Sequence, residues 1–399
     1  MKGRWRYLLP SMAVMLVMGV LYAWSILKAP FAQEFSWTAG QLGANFTLTI
    51  SVFSIGVFVG GRQIHRLGEK LLLMMSAALV LIGFGGCSLL SGRSIAALYL
   101  LYGCVSGFGI GVAYNVIVSA TLSWFDDVRG LCSGLLMMCF GISTLLLGAC
   151  ASSLFQSIGW RVTFRMMGGV MAIALFALAW LLKSKPGYHP EKADTKTDVY
   201  RRPSFWLFCF YTVALAAGAS MVISFSLDIS LAIGTSGELA AALVGVLAVC
   251  NGLGRLVCGF LSDRLPMKRV MVLAGFLAVA AACALLYAVL AHAVPAGVAG
   301  MCVTGVAYGF SPTIMSGFVA KTYGMEHFSM NFSLASFTLI PSSFSAAIGG
   351  VIVTNTGSFH ATMALSLVLA AASVALGAAS GSCAQREQLQ EAKRERKPS

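Results

Sequence analysis

The sequence predicts an all-α membrane protein in which twelve transmembrane helices form two six-helix halves. Three observations carry that expectation. Hydrophobic residues make up 58% of the 399-residue chain and charged residues only 10%, against roughly 25% charged in ordinary soluble domains. The charges gather in short clusters, and the apolar gaps between them are long enough for one or two spans of about 20 residues each. A loop pattern built on glycine and arginine also recurs at the same place in each half.

The gaps place spans at 7–27, 41–61, 71–91, 95–123, 131–155, 162–182, 204–227, 239–261, 270–291, 296–320, 330–354 and 360–381. The first follows Lys2, Arg4 and Arg6 and looks at first like a signal peptide. No small-residue cleavage site follows, and the run is long enough to span, so it is read as a helix. Spans two and three flank the charged stretch between Arg62 and Lys70, and spans four and five flank Asp126, Asp127 and Arg129. Residues 183–203, with Pro186, Gly187, Pro190 and alternating charges, divide the spans six and six and read as a flexible linker. Between Arg269 and Lys321, and again between Glu326 and Arg386, there is no Asp, Glu, Lys or Arg, so each stretch holds two spans. The expected organisation is an amino-terminal half at 1–182, a linker at 183–203, a carboxy-terminal half at 204–381 and a tail at 382–399.

An even number of spans puts both termini and the linker on one side of the membrane. That side collects 22 Lys and Arg, whereas Lys28, Arg93, Arg161 and Arg165 fall opposite. The positive-inside rule therefore predicts cytoplasmic termini and a multi-pass protein of the cell inner membrane. The net charge of +13 is thereby a topology signal, and nucleic acid is not an expected partner.

Ten of the eleven cysteines lie inside spans, with Cys383 alone in the tail, and none forms a CxxC pair or sits with histidines at metal-ligand spacing. They read as small buried hydrophobes. His65, His189, His292, His327 and His360 are scattered over loops and span ends. No nucleophile, paired-carboxylate or metal constellation emerges, so neither enzymatic activity nor a metal or other cofactor is expected.

The recurring loop pattern runs from Gly61 through Arg62, His65 and Arg66 to Gly68 after the second span. After the eighth it runs from Gly259 through Asp263 and Arg264 to Pro266. Parallel repeats of this kind resemble the layout of the major facilitator superfamily, whose halves rock about a site near the membrane midplane. The glycine lets helices approach, the acid can satisfy amides at the next helix start, and the cations anchor among headgroups. An ordinary positive-inside loop would explain the arginines but not the glycine and acid at fixed offsets. This chain departs from the superfamily pattern at His65, where Asp is usual, and at Pro266, where Gly is usual.

A charge inside a span costs about 2.5–3.5 kcal/mol on insertion scales, so such residues are candidates for function. Arg255 sits in the middle of the eighth span, in the run Asn251-Gly252-Leu253-Gly254-Arg255. It can hold a carboxylate through two parallel hydrogen bonds, or it can be a structural arginine paired to Asn251 one turn earlier. Asp228 lies near the outer end of the seventh span, where exposure to external water is favoured over a proton-carrying role. Lys28 can attract anions or simply snorkel. Trp5, Trp37, Trp160 and Trp206 fit the interfacial belt, whereas Tyr22, Trp24 and Tyr114 fall inside spans and suit either a substrate cavity or helix packing. Gly107 and Gly111 in the fourth span read as a GxxxG packing face, not a phosphate loop, because no strand precedes them.

Several stretches together resemble the oxalate/formate antiporter family of the major facilitator superfamily, itself related to the monocarboxylate transporters. They are Gly19 to Ser25 with Pro30 and Phe35-Ser36-Trp37; Gly107-x-Gly109-x-Gly111-x-x-Tyr114 with Trp124-Phe125 and Arg129-Gly130-Leu131; the run ending at Arg255 with Ser262-Asp263-Arg264; Pro203 to Trp206; and Tyr323-Gly324 with Asn331-Phe332. The resemblance implies alternating-access transport of small carboxylate anions, with Arg255 on the substrate carboxylate and Tyr22, Tyr114 and Tyr308 lining the cavity. It places Arg129 with the conformational residues Gly61, Arg62, His65, Arg66, Gly259, Asp263 and Arg264. Where the oxalate carriers have a lysine in the eleventh span, this chain has no basic residue, the position falling at about Leu339. One fixed cation leaves a second carboxylate unpaired, which is costly. The expected activity is thus secondary transport of a monocarboxylate such as lactate, pyruvate or formate, by symport or antiport, with membrane lipids around a functional monomer. The alternatives are an exporter of amphipathic compounds and a non-transporting membrane sensor on the same fold, for which the linker and tail are short.

Overall fold

A computed structural model describes residues 4–91, 94–186 and 198–395. Lys2, Arg93, His189, the middle of the linker and the last four residues, all used above, lie outside the described residues. The fold is all-α, with no strand among the described residues. The helices long and apolar enough to cross a membrane are α1 (Trp5–Phe35), α4 (Ile95–Leu122), α5 (Arg129–Ile158), α6 (Trp160–Leu181), α7 (Pro203–Ser224), α8 (Gly237–Arg264), α9 (Met267–Ala291), α10 (Val294–Tyr323), α11 (Phe328–Thr356) and α12 (His360–Gln390). A 49-residue helix, Ala39–Cys87, holds two further spans, α2 (39–67) and α3 (69–87), which meet at Gly68 with φ 72° and ψ 165°. Twelve spans result among the described residues.

The expected loop from Arg62 to Lys70 is thereby corrected. Charged residues there are compatible with helix once the chain has left the hydrocarbon, and only Gly68, in a conformation that L side chains rarely adopt, breaks the run. The second copy of the pattern is likewise helical to Arg264, with a turn of only Leu265 and Pro266 before α9. The helix that begins at His360 continues to Glu395, through most of the expected tail.

Three spans are not regular. In α1 a 3-10 stretch at Gly19–Ala23 follows Trp5–Met18, and in α4 a π-helical stretch covers Tyr99–Ser106. Helix α11 is interrupted at Phe337 and Thr338 and again at Phe344, around Pro341, whose missing N–H removes a helical bond. After α7 a separate two-turn helix, Ser226–Ile233, carries Asp228 in its first turn.

The chain divides into two compact units. One comprises Met1–Lys196 with Met325–Ile340, the other Thr197–Gly324 with Pro341–Ser399. Within the first, α2 and α4 pack backbone to backbone: a Cβ at Gly111 would lie 2.1 Å from the Phe53 carbonyl oxygen, and one at Gly107 would lie 3.0 Å from that of Thr49. The expected GxxxG packing face is therefore present and fully used. In the second unit α8 and α10 do the same, a Cβ at Gly309 falling 2.2 Å from the Asn251 carbonyl oxygen.

Candidate functional site

In the second unit, Arg255 is a charged side chain buried at 4% exposure in the middle of α8. Its Nε donates to Asn251 Oδ1 at 3.2 Å, one turn earlier. Its carbonyl accepts from Thr313 Oγ1 of α10 at 3.4 Å. That contact and the close approach of Gly309, whose Cβ would sit 3.0 Å from the Arg255 amide nitrogen, fix the backbone that carries the guanidinium. Tyr308, the neighbour of Gly309, is half-buried on the same helix. The Asn251 pairing anticipated for a structural arginine is thus made, and it also orients the fork that a carboxylate would need.

In the first unit, Tyr22 and Tyr114 converge on one ring. Tyr22, presented by the 3-10 stretch, meets Phe140 edge-on at 5.5 Å between centroids, and Tyr114 meets the same ring at 5.1 Å. Phe53 stands 5.3 Å from Tyr114 and Phe332 stacks on it at 6.1 Å. The Tyr114 hydroxyl donates to Met137 Sδ at 2.6 Å, a weak acceptor. Sequence reasoning gave both tyrosines a cavity role but gave none to Phe53, Phe140 or Phe332, the last of which entered only in the pair Asn331-Phe332, because a phenylalanine in a span carries no local mark of what it faces.

The same unit holds a polar clasp that the sequence did not suggest. Asn115, fully buried on α4, donates through Nδ2 to the Ser329 carbonyl at 3.1 Å and to Ser333 Oγ at 2.9 Å, while Ser329 Oγ donates back to Asn115 Oδ1. Ser333 Oγ lies 2.9 Å from the Val57 carbonyl oxygen of α2. Gly61 completes the contact: a Cβ there would be 2.0 Å from Ser333 Oγ and 2.6 Å from the Ser329 carbonyl oxygen. The first half of α11 is therefore seated against α2 and α4 through serines, an asparagine and a glycine. The available signal was an amide beside Tyr114 in an apolar span, which has to find a partner.

The other candidates are dispersed. His65 is half-buried, its Nδ1 has no hydrogen-bond partner among the described residues, and it lies within electrostatic range of His327 and Glu69. Arg62 and Arg66 are exposed. Gly259 is buried, Arg264 lies over the Phe260 ring at 3.9 Å, and Asp263 is within electrostatic range of Lys321, whose ammonium donates to the Ser262 carbonyl. Arg129 and Lys185 both pair with Asp126, while Arg4 forks onto Asp127. The Lys185 bond first, with Arg129 in support, holds the Asp126 carboxyl below its ordinary pKa, and Arg4 does the same for Asp127. Asp228 is exposed.

The Major Facilitator Superfamily profile matches residues 11–339 and 232–398, and the chain belongs to that superfamily of membrane transporters. It is 25% identical over 341 residues to the uncharacterized MFS-type transporter YhjX of Escherichia coli, covering 84% of each chain. It is 25% identical over 277 residues to the oxalate:formate antiporter of Oxalobacter formigenes, covering 67% of this chain and 66% of that one. The fold superposes on the proton:xylose symporter XylE with a TM-score of 0.74 at 13% identity, over 93% of this chain and 94% of the other.

Proposed function

We propose that this transporter carries small monocarboxylates, such as lactate, pyruvate or formate, by alternating access. The observation that carries the reading is Arg255, the one buried cation in mid-span among the described residues, whose guanidinium Nε donates to Asn251. A guanidinium held in that way matches a carboxylate with two parallel bonds. In this reading Tyr308, next to Gly309 on α10, and Tyr22 and Tyr114 line the substrate path. The two halves, 1–182 and 204–381, are the moving bodies, with Gly61, Arg62, His65, Arg66, Arg129, Gly259, Asp263 and Arg264 controlling their exchange. The likeness to an oxalate:formate antiporter supports the carboxylate class, and the absence of Lys and Arg between Asn331 and Thr354 supports one carboxylate over two. The protein works as a monomer in the inner membrane with both termini in the cytoplasm, as the distribution of Lys and Arg supports. The test is uptake of a labelled carboxylate panel into proteoliposomes, with and without a pH gradient. Normal uptake by correctly inserted Arg255→Ala protein overturns the assignment.

A further inference from the structure

The crossing of α8 and α10 brings two thiols together. Gly305 lets the helices touch: a Cβ there would lie 2.5 Å from the Leu247 carbonyl oxygen and 2.8 Å from the Cys250 Cβ. The approach is repeated one turn further along, where Gly309 meets the Asn251 carbonyl, so the register of the two helices is fixed on both sides of Cys250. Cys302 sits one turn before Gly305 on α10, and its side chain is in contact with the Cys250 thiol. Both residues are half-buried, and no disulfide joins them. Neither cysteine is marked in the sequence, because only the crossing makes them neighbours.

Two facing thiols inside a span accept a narrow range of ligands. Structural zinc almost always takes four ligands, and no group of three or more His, Cys, Asp and Glu able to hold a metal occurs among the described residues. A soft ion satisfied by two sulfur ligands fits instead. Charge then selects its valence. Two thiolates on a monovalent ion leave a net negative charge in an apolar span, which is costly without a partner. Arg255, the nearest cation along α8, is more than a turn away and its Nε donates to Asn251. Two thiolates on a divalent ion leave no net charge, and the complex needs no partner.

We propose that Cys250 and Cys302 form a chelating site for a soft divalent ion of the mercuric type, held between their sulfurs as a neutral bis-thiolate. With mercuric chloride as the reagent, two S–H and two Hg–Cl bonds break and two Hg–S bonds form. Two protons and two chloride ions leave, and nothing is oxidised or reduced. The reagent is itself neutral, so it can reach a mid-span site that a bare cation cannot. The site is independent of the substrate reading.

The test loads the purified full-length protein, in lipid nanodiscs, with one equivalent of mercuric chloride and titrates it with glutathione, the retained metal being measured by mass spectrometry. A lone protein thiol yields mercury to a competing monothiol, whereas making the second bond within one molecule strengthens binding by about 10²–10⁴. Cys250→Ser and Cys302→Ser should each release the metal at roughly 100-fold less glutathione than wild-type protein requires. Cys283→Ser, which removes an exposed thiol on α9, should behave as wild type. Equal retention by wild-type protein and both site variants would overturn the site, as would release from wild-type protein at the glutathione concentration that strips the variants. Mercury X-ray absorption on the loaded wild-type protein gives a second readout that needs no substitution. Two sulfur neighbours are expected at the metal, and one sulfur with one chloride would count against the proposal.

Discussion

Gly61→Ala is the smallest change that addresses the clasp between α11 and the α2–α4 pair. The added Cβ meets Ser333 Oγ at 2.0 Å and the Ser329 carbonyl oxygen at 2.6 Å. The serine hydroxyl can rotate away, but the carbonyl belongs to the helix backbone, so residues 328–336 have to shift as a body. Overpacking of this kind costs about 1–3 kcal/mol, which corresponds to an increase of about 5- to 150-fold in the population with the clasp released, at tenfold per 1.4 kcal/mol. Ser336 reports the release well. It is 1% exposed, and its hydroxyl bonds only within its own helix, to the Phe332 carbonyl, so Ser336→Cys is a mild substitution. In a background without the eleven native cysteines, Gly61→Ala should raise the rate at which a membrane-impermeant maleimide modifies Cys at 336 by at least fivefold. Gly43→Ala, whose Cβ meets nothing within 4 Å, should leave that rate unchanged. An unchanged rate in Gly61→Ala, or an equal rise in Gly43→Ala, would refute the argument that Gly61 controls the seat of α11.

Four further outcomes follow from the same geometry. Arg255→Lys keeps the charge but loses the planar fork, and carboxylate uptake should fall by about tenfold or more; uptake within a factor of two of wild type counts against a two-pronged contact. His65→Asp places a carboxylate in electrostatic range of His327, which should tighten the clasp and slow modification of Cys at 336; a faster rate would show that the acid does not help here. Asp126 is depressed by Lys185 and Arg129, so its contribution is present above the ordinary carboxyl pKa of about 4 and is lost as pH falls through its lower folded value. Asp126→Asn should mimic that loss at neutral pH, seen as faster tryptic cleavage after Lys183 and Lys185, and an unchanged cleavage rate would show the pairing to be idle. Leu339→Lys adds a second cation beside the break in α11, and oxalate should then compete better against lactate for uptake; if wild-type protein already prefers oxalate to every monocarboxylate, the single-charge argument fails.

Much of this fold was legible because the membrane imposes it. Gaps without charge marked the spans, and the glycine spacing of Gly107 and Gly111 marked a face that does pack on α2. Arg255 stood out as the one cation in mid-span, and its partner Asn251 was legible at one helical turn. The charged stretch after Gly61 misled, because charge reports departure from the hydrocarbon and not the end of a helix. The 3-10 stretch that presents Tyr22 and the π-helical stretch in α4 were not legible either, since both keep an apolar composition and only change the hydrogen-bond step. The clasp was out of reach for a different reason. Asn115 and Ser329 are 214 residues apart, and no local period encodes a contact between the fourth span and the eleventh.

The two kinds of helix contact in the first unit differ in what they permit. The α2–α4 crossing is backbone on backbone at Gly107 and Gly111, so sliding it by even a fraction of an ångström forfeits dispersion contacts along its whole length. The clasp of α11 depends instead on side-chain hydrogen bonds of Asn115, Ser329 and Ser333, and such bonds average about 0.6 kcal/mol between membrane helices. Water can replace them one at a time. The break in α11 at Phe337 and Thr338, just before Pro341, falls where the chain passes from one compact unit to the other. Residues 328–336 and Ser345–Thr356 are therefore separate helical segments and not one rigid rod. In the proposed transport cycle the strong crossing would hold the scaffold and the weak polar seat beside the break would be the part that exchanges, so Gly61, where an added Cβ meets Ser333 and Ser329, is where the smallest substitution should be felt most.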